Sequence, residues 1–336
     1  MSAEVEAMVF SGELPWHGLG TQISEDVKDV NEIVEKAGLA WMANDDLLYH
    51  IDKQGKLQTI KGFKALRRSD NGTLLSVVSD RYRALQNLES FKIGLQPFLD
   101  SKEATIETAG SLREGKIVFG LIKLKRDPLV INAGGKKDLV NKYLLWANGH
   151  GDKRCGRYGF TPIRVVCMNT LSAAENNADS QLIRIYHKGD VTKKLENVVS
   201  LVNAADASFN ATLEQYQALA NNTNVSNKDI KAYVKVVFGV EANTDRGRTR
   251  YNNLVSQINE LFETGRGNAD LPKSFWTLYN GVTEYLSYER GKSTDKRINS
   301  LWLGQGRNVN DAALSYGLQL AGVKTMSKEL VEALAA

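Results

Sequence analysis

The stretch ATIETAGSLREGKIVFGLIKL, residues 104–124, decides the fold class. Two strand-like arms flank the bend Arg113-Glu114-Gly115-Lys116, so the stretch reads as a β-hairpin. In the second arm both alternating sets are apolar: Ile117, Phe119 and Leu121 on one face, Val118, Ile122 and Leu124 on the other. A strand apolar on both faces is a central strand covered from both sides. The rest of the N-terminal half has to supply its neighbours and its cover.

Working outward, residues 41–79 hold the short branched and aromatic runs LLYHI, KLQTI, KGFKALRRS and TLLSVVS. Asn71-Gly72 between the last two is a hairpin signal. In KGFKALRR, Phe63, Ala65 and Arg67 share one face, and Lys64, Leu66 and Arg68 the other. Between these runs and the central hairpin, Leu88, Phe91, Leu95 and Phe98 form a helical stripe that Pro97 closes or kinks. Asp26–Leu39 reads as a shorter amphipathic helix, with Gly38 at its C-terminal cap position. Within residues 1–24, PWHGLG (Pro15 to Gly20) reads as an ordered loop whose Trp16 plugs into the body. On the other side of the hairpin, KYLLWANG and FTPIRVVCM are strand-like and GHGDKRCGRYG is the loop between them. Gly134-Gly135 beside Lys136-Lys137 reads as a hairpin tip, because GxxxxGK[ST] is absent. Ser172 and Glu175 have capping-box spacing.

From about residue 190 the period changes to that of helices. Leu195, Val198, Val202, Ala205, Phe209, Leu213 and Tyr216 predict one long amphipathic helix whose narrow stripe suits helix pairing or self-association. Ser226 opens a helix that ends at Gly239, a third ends at Gly265, and Pro272 opens a fourth. A fifth runs over about residues 308–321 and a short sixth follows Ser327. The expected class is therefore α+β: a mostly antiparallel N-terminal sheet with a packed helix, then an all-helical C-terminal region. The expected domains are 1–189 and 190–336.

The 336 residues suffice for a substantial core, and the composition, 42% hydrophobic and 24% charged, is that of a globular protein. The sequence holds no apolar run of the length a membrane helix needs. Glu4 and Glu6 stand where a signal peptide carries basic residues, so a cytoplasmic setting is expected. The net charge of +4 is unevenly spread. Residues 1–60 carry 4 basic and 11 acidic side chains, residues 61–164 carry 20 and 10, and residues 165–336 carry 19 and 18. A basic middle segment of this strength argues for a polyanionic partner.

Discrete chemistry is harder to find. His150, Cys155, Cys167 and His187 are possible metal ligands but lack the close pairing of structural zinc sites, so no metal is assigned. Cys155 lies among Lys153, Arg154 and Arg157, which would activate a thiolate, yet no histidine is placed as its base. Gly304-Gln305-Gly306 lacks the strand before it that a dinucleotide fingerprint needs. No catalytic residue, metal or cofactor is assigned, and whether the chain is an enzyme stays open, with the reading leaning against it. Basic residues interleaved with aromatics suit single-stranded nucleic acid, where phosphates supply affinity and bases stack on rings. The expected contact residues are Lys61, Lys64, Arg67, Arg68, Arg81, Arg83, Lys123, Lys125, Arg126, Lys136, Lys137, Lys153, Arg154, Arg157, Tyr158 and Arg164. Tyr143 and Trp146 are expected in the core.

The segments PWHGLG (15–20), SDRYRALQN (79–87), FTPIRVVCMNTL (160–171), IRIYHKGD (183–190) and SFWTLYNGVTEYLSYER (274–290) together resemble a phage- and plasmid-related family, that carrying domain of unknown function 932. The resemblance implies a mobile-element origin and a bacterial cytoplasmic setting, and it transfers no activity. The leading expectation is a protein that binds or anneals single-stranded DNA in recombination or replication, working as a homo-oligomer without membrane contact. The alternatives are a counter-defence factor that binds a host protein and a metal-dependent nuclease.

Overall fold

The computed structural model describes residues 5–12, 20–102, 104–125, 128–150, 156–164, 183–202, 206–291 and 305–322. Its strands are β1 (Val5–Ser11), β2 (Thr21–Ile23), β3 (Ala43–Ile51), β4 (Leu57–Arg68), β5 (Leu74–Ser79), β6 (Ala104–Leu112), β7 (Ile117–Leu124), β8 (Leu129–Ala133), β9 (Lys136–Gly149), β10 (Gly156–Arg164) and β11 (Ile183–Ile185). The α-helices are α1 (Val30–Lys36), α2 (Asn87–Gly94), α3 (Gln96–Asp100), α4 (Val191–Val202), α5 (Asp206–Asn221), α6 (Asn227–Phe238), α7 (Asp245–Thr264), α8 (Phe275–Glu284) and α9 (Gln305–Leu320). The chain is α+β, with its sheets in the N-terminal half and helices dominating the C-terminal half. It divides into two compact units: Met1–Arg126 with Tyr143–Phe160 and Leu182–Ala205, and Asp127–Lys142 with Thr161–Gln181 and Asp206–Ala336.

In the first unit the strands run in the order β11-β10-β9-β7-β6-β1-β2. The hairpin read from residues 104–124 is β6–β7, with Leu112 opposite Ile117, and β7 is central, between β6 and β9. Ile117, Val118, Phe119, Leu121, Ile122 and Leu124 are all buried, as a strand covered on both faces requires. The β1–β6, β6–β7, β7–β9, β8–β9 and β10–β11 pairs are antiparallel, and β1 on β2 is parallel. Tyr143 and Trp146 lie in the core, and the Trp146 indole donates to Ser90 Oγ at 3.0 Å.

The helices of this unit end where their sequence dictates. Asp29 caps α1 by accepting from the Asn31 amide. At the other end the Gly38 amide donates to the Glu35 carbonyl and the Leu39 amide to that of Val34, while Gly38 holds φ +66°. That is a Schellman ending, which places glycine just past the helix and buries the apolar residue after it, here Leu39. The stripe over residues 88–98 is split at Leu95 into α2 and α3, with Pro97 in the first turn of α3. Helix α4 also belongs to this unit and packs on α2, where Thr192 Oγ1 donates to Glu89 at 2.8 Å.

Three features depart from expectation. Residues 5–11 add a strand that the sequence pattern does not announce, with Met8, Val9 and Phe10 buried against β6. KLQTI and KGFKALRR form one strand, β4, whose pairing with β3 shifts register between Leu47 and Tyr49. The predicted long helix is described as two, α4 and α5, assigned to different units, with residues 203–205 outside the described set. Trp16, Ser172, Glu175 and the helix after Ser327 also lie outside it.

In the second unit β8 and β9 form a hairpin whose tip is Gly134-Gly135, with φ +58° and +86°, the left-handed pair that a two-residue turn needs. Helix α5 packs on β8 and on α8, with the Tyr216 ring 4.9 Å from that of Trp276. Ser226 and Ser274 each close a capping box at the start of α6 and α8. The Tyr233 hydroxyl donates to the Ala313 carbonyl and ties α6 to α9. After α8 the helix widens into a π-turn, Tyr285–Glu289.

Candidate functional site

The basic segment meets its counter-charges inside the first unit. Arg68, only 4% exposed, is held by Glu6 and Asp70 and lies 4.5 Å over the Trp41 ring. Lys64 is buried and pairs with Asp45, and Arg67 Nε donates to Asp46 at 2.6 Å. Three cations of the 61–164 segment are thus answered by carboxylates from residues 1–60. Tyr158 is wholly buried, its hydroxyl donating to the Gly94 carbonyl, and burial pushes its pKa well above the ordinary value. Lys64, Arg68 and Tyr158 are therefore core or ion-pair residues, not surface contacts.

The remaining expected residues do not converge. Lys61, Arg81, Arg83, Lys125 and Lys137 are exposed, and Arg157 is half-buried on β10 opposite Arg184. Lys123 and Lys125 line a shallow cavity of about 260 Å³ together with Lys28, Glu25 and Asp26, a mixed rather than cationic lining. Lys136 stands 3.9 Å from Asp270. The backbone of Arg164 closes β10, and its side chain, like Arg126, Lys153 and Arg154, is outside the described set.

A cluster of buried polar groups occupies the first unit beside Arg68. His150 is fully buried, its Nε2 2.8 Å from Asn87 Oδ1 and its ring 5.3 Å from that of Trp41. His187 stacks on Tyr82 at 4.8 Å, with Nδ1 3.2 Å from the Arg83 carbonyl. Burial, with His187 and Arg68 behind it, pushes the His150 imidazole down to about 3. Burial pushes His187 down to about 4. His150 Nδ1, His187 Nε2 and Asn148 Oδ1 have no hydrogen-bond partner among the described residues. No three His, Cys, Asp or Glu side chains come together there to hold a metal, among the described residues. Cys155 and Cys167 lie outside them.

The second unit holds the more suggestive arrangement. Helix α7 opens at Thr244, whose hydroxyl accepts from the Gly247 amide at 3.0 Å. Arg246, Arg250, Asn253 and Gln257 recur at spacings of three and four, so they share one face of the helix. That face forms one wall of a cavity of about 520 Å³. Phe238 from the end of α6, and Tyr285 and Arg290 from the π-turn, line it as well. The Phe238 and Tyr285 rings meet edge to face at 5.7 Å. The Arg290 amide donates to the Tyr285 carbonyl at 2.8 Å, the i+5 bond that stacks these two residues one turn apart.

The lining of this cavity is cationic, although the Glu289 carboxylate lies within electrostatic range of Tyr285. Three guanidiniums face it, and among the described residues no carboxylate lines it. Asp245 is taken by Arg248, while Arg246 and Arg250 stay without an ion-pair partner among the described residues. Both sit in the first turns of α7, where the helix dipole favours negative charge, so two cations there oppose the local field. Arg290 Nη2 reaches Gln305 at 3.3 Å, and its buried Nη1 has no partner among the described residues. Burial lowers the Arg290 pKa, and the Arg250 charge lowers it further. Burial also raises the Tyr285 hydroxyl, while the Arg290 charge draws it down. An anion in the cavity would meet two cations, Arg246 and Arg250, that have no ion-pair partner among the described residues.

Arg246, Arg250 and Arg290 were missed because residues 165–336 are nearly neutral as a whole. The run TDRGRTRYNN, with arginines two apart at a helix start, carries the signal, but only at the scale of one turn.

The family model described as Domain of unknown function (DUF932) matches residues 74–302, a range that includes the cavity. No curated protein and no solved structure matches the chain.

Proposed function

The chain belongs to the DUF932 family, and from that premise we propose that it is a nucleic-acid-binding protein that grips phosphate, single-stranded DNA before duplex. The observation that carries this is the cavity with three inward guanidiniums, two aromatic rings and no carboxylate lining among the described residues. Arginine forks match phosphate geometry, and rings give bases a stacking surface. The free cations Lys61, Arg81 and Lys125 add long-range attraction. A phage or plasmid origin, a cytoplasmic setting and a part in annealing or recombination belong to the same proposal and rest on the resemblance alone. Among the described residues no helix is long and apolar enough to cross a membrane.

Binding of a 30-mer single strand is expected to weaken steeply with salt, with a log–log slope of about −0.7 per phosphate contacted. A mobility shift over a salt series, with duplex of the same sequence alongside, measures both the slope and the strand preference. Absence of any shift at low salt ends the proposal.

Self-association belongs to it too. The outer part of the β3–β4 hairpin exposes Leu47 (65%), Ile51 (71%) and Leu57 (60%), and β3 is an edge of its three-stranded sheet. A long apolar edge strand is a template for pairing with another strand, and a second copy of this chain offers a matching one. Leu47→Glu with Ile51→Glu is expected to leave only monomer in mass photometry where the wild type assembles. Unchanged assembly would place the contact elsewhere.

A further inference from the structure

Resting on the phosphate-binding proposal above, we infer that the cavity between α7 and the π-turn takes one nucleoside phosphomonoester, either a free nucleotide or the phosphorylated end of a strand. It does not take a length of continuing backbone. Charge is the first reason. A phosphodiester carries one negative charge, whereas a phosphomonoester carries about 1.5–2 at neutral pH. Three guanidiniums on one concavity, two of them close enough for Arg250 to disfavour the charge on Arg290, exceed what one diester answers.

Shape is the second. The volume of about 520 Å³ falls in the range of small-ligand pockets, whereas a bound strand runs along a groove from one phosphate to the next. The distribution of groups is the third. Arg246 and Arg250 stand at the first turns of α7, where the helix dipole adds to their pull on a phosphate. The Tyr285 and Phe238 rings offer an apolar wall for a base, and the Asn253 and Gln257 amides, further along the same helix face, can both donate to and accept from its edge.

The test uses the full chain and fluorescence anisotropy of one labelled 20-mer in four forms: 5′-phosphorylated, 3′-phosphorylated, hydroxyl-ended and circularised. Thymidine monophosphate and inorganic phosphate serve as competitors. At least one phosphorylated end is expected to bind ten-fold or more tighter than the hydroxyl-ended strand. Thymidine monophosphate should displace it at lower concentration than inorganic phosphate does. Arg250→Gln, at an exposed position, and Arg290→Gln should each erase that preference, with thermal unfolding of the Arg250 variant unchanged. If all four strands bind equally, the inference is overturned while nucleic-acid binding stands. If thymidine monophosphate alone binds, dependent on Arg250, the inference holds for a free nucleotide and the nucleic-acid proposal falls. If neither strands nor nucleotide bind, both fall.

Discussion

Lowering the pH from 7 to 5 is expected to destabilise the first unit by on the order of 3 kcal/mol, most of it through two imidazoles. His150 is held down to about 3 and His187 to about 4, each chiefly by burial. An unfolded chain returns both to about 6.5. Between these values the unfolded state binds protons that the folded state refuses, so stability rises with pH and is lost as pH falls below 6.5. Each histidine contributes a slope of up to about 1.4 kcal/mol per pH unit. The two charges also repel each other, so their sum is smaller than two independent shifts. Asp70, whose carboxyl is lowered by its hydrogen bonds from Arg68, also loses stabilisation on acidification, but in a lower window, below its ordinary value near 4, so the span from pH 7 to 5 is dominated by the imidazoles. Hydrogen exchange of the β7 amides and of residues 143–149 in β9, in urea at pH 7, 6 and 5, reports this unit in particular. His150→Gln with His187→Gln should flatten the dependence. Stability that stays level from pH 7 to pH 5 would mean that these rings are not buried neutral.

The same cluster shows what a sequence does and does not carry. The β6–β7 hairpin, the Asn71-Gly72 turn, the Gly38 ending and the Ser226 cap are written in neighbouring residues, and the structure has each of them. Their causes act within a few residues of chain. His150 and His187 are brought into electrostatic range by strand order alone, and nothing between them announces it. Segment charge misled in two directions for one physical reason. The excess over 61–164 overlooks that Glu6, Asp45 and Asp46 fold onto Arg68, Lys64 and Arg67. The balance over 165–336 conceals three arginines gathered on one cavity, because charges on opposite faces of a helix cancel in a count and not in a field. Glu6 also masked β1: a carboxylate inside VEAMVFS argues against a covered strand until the guanidinium that receives it is known.

Arg68→Ala is expected to cost about 3 kcal/mol of stability, and to leave oligonucleotide affinity per folded molecule unchanged. The guanidinium is almost wholly removed from water. Burial works against its charge, and the hydrogen bonds it donates to Asp70 and Glu6 outweigh that, so its pKa stays above the ordinary value. It forks onto Asp70 through Nε at 3.0 Å and Nη2 at 2.6 Å, and Nη1 turns to Glu6. Truncation strands two carboxylates and uncovers the Trp41 ring beneath, whose indole nitrogen already lacks a partner among the described residues. Lysine at this position should recover little, because one ammonium cannot reproduce the fork. Methionine keeps the packing over Trp41 but leaves Glu6 and Asp70 as unpaired as alanine does, so a methionine variant more stable than the lysine variant would assign the loss mainly to packing. Urea midpoints of the three variants order these effects. Anisotropy titrations at matched folded fraction ask whether Arg68 touches nucleic acid at all. An Arg68→Ala protein as stable as wild type but weaker on DNA would place this guanidinium on the surface, and with it restore the basic middle segment as the binding face.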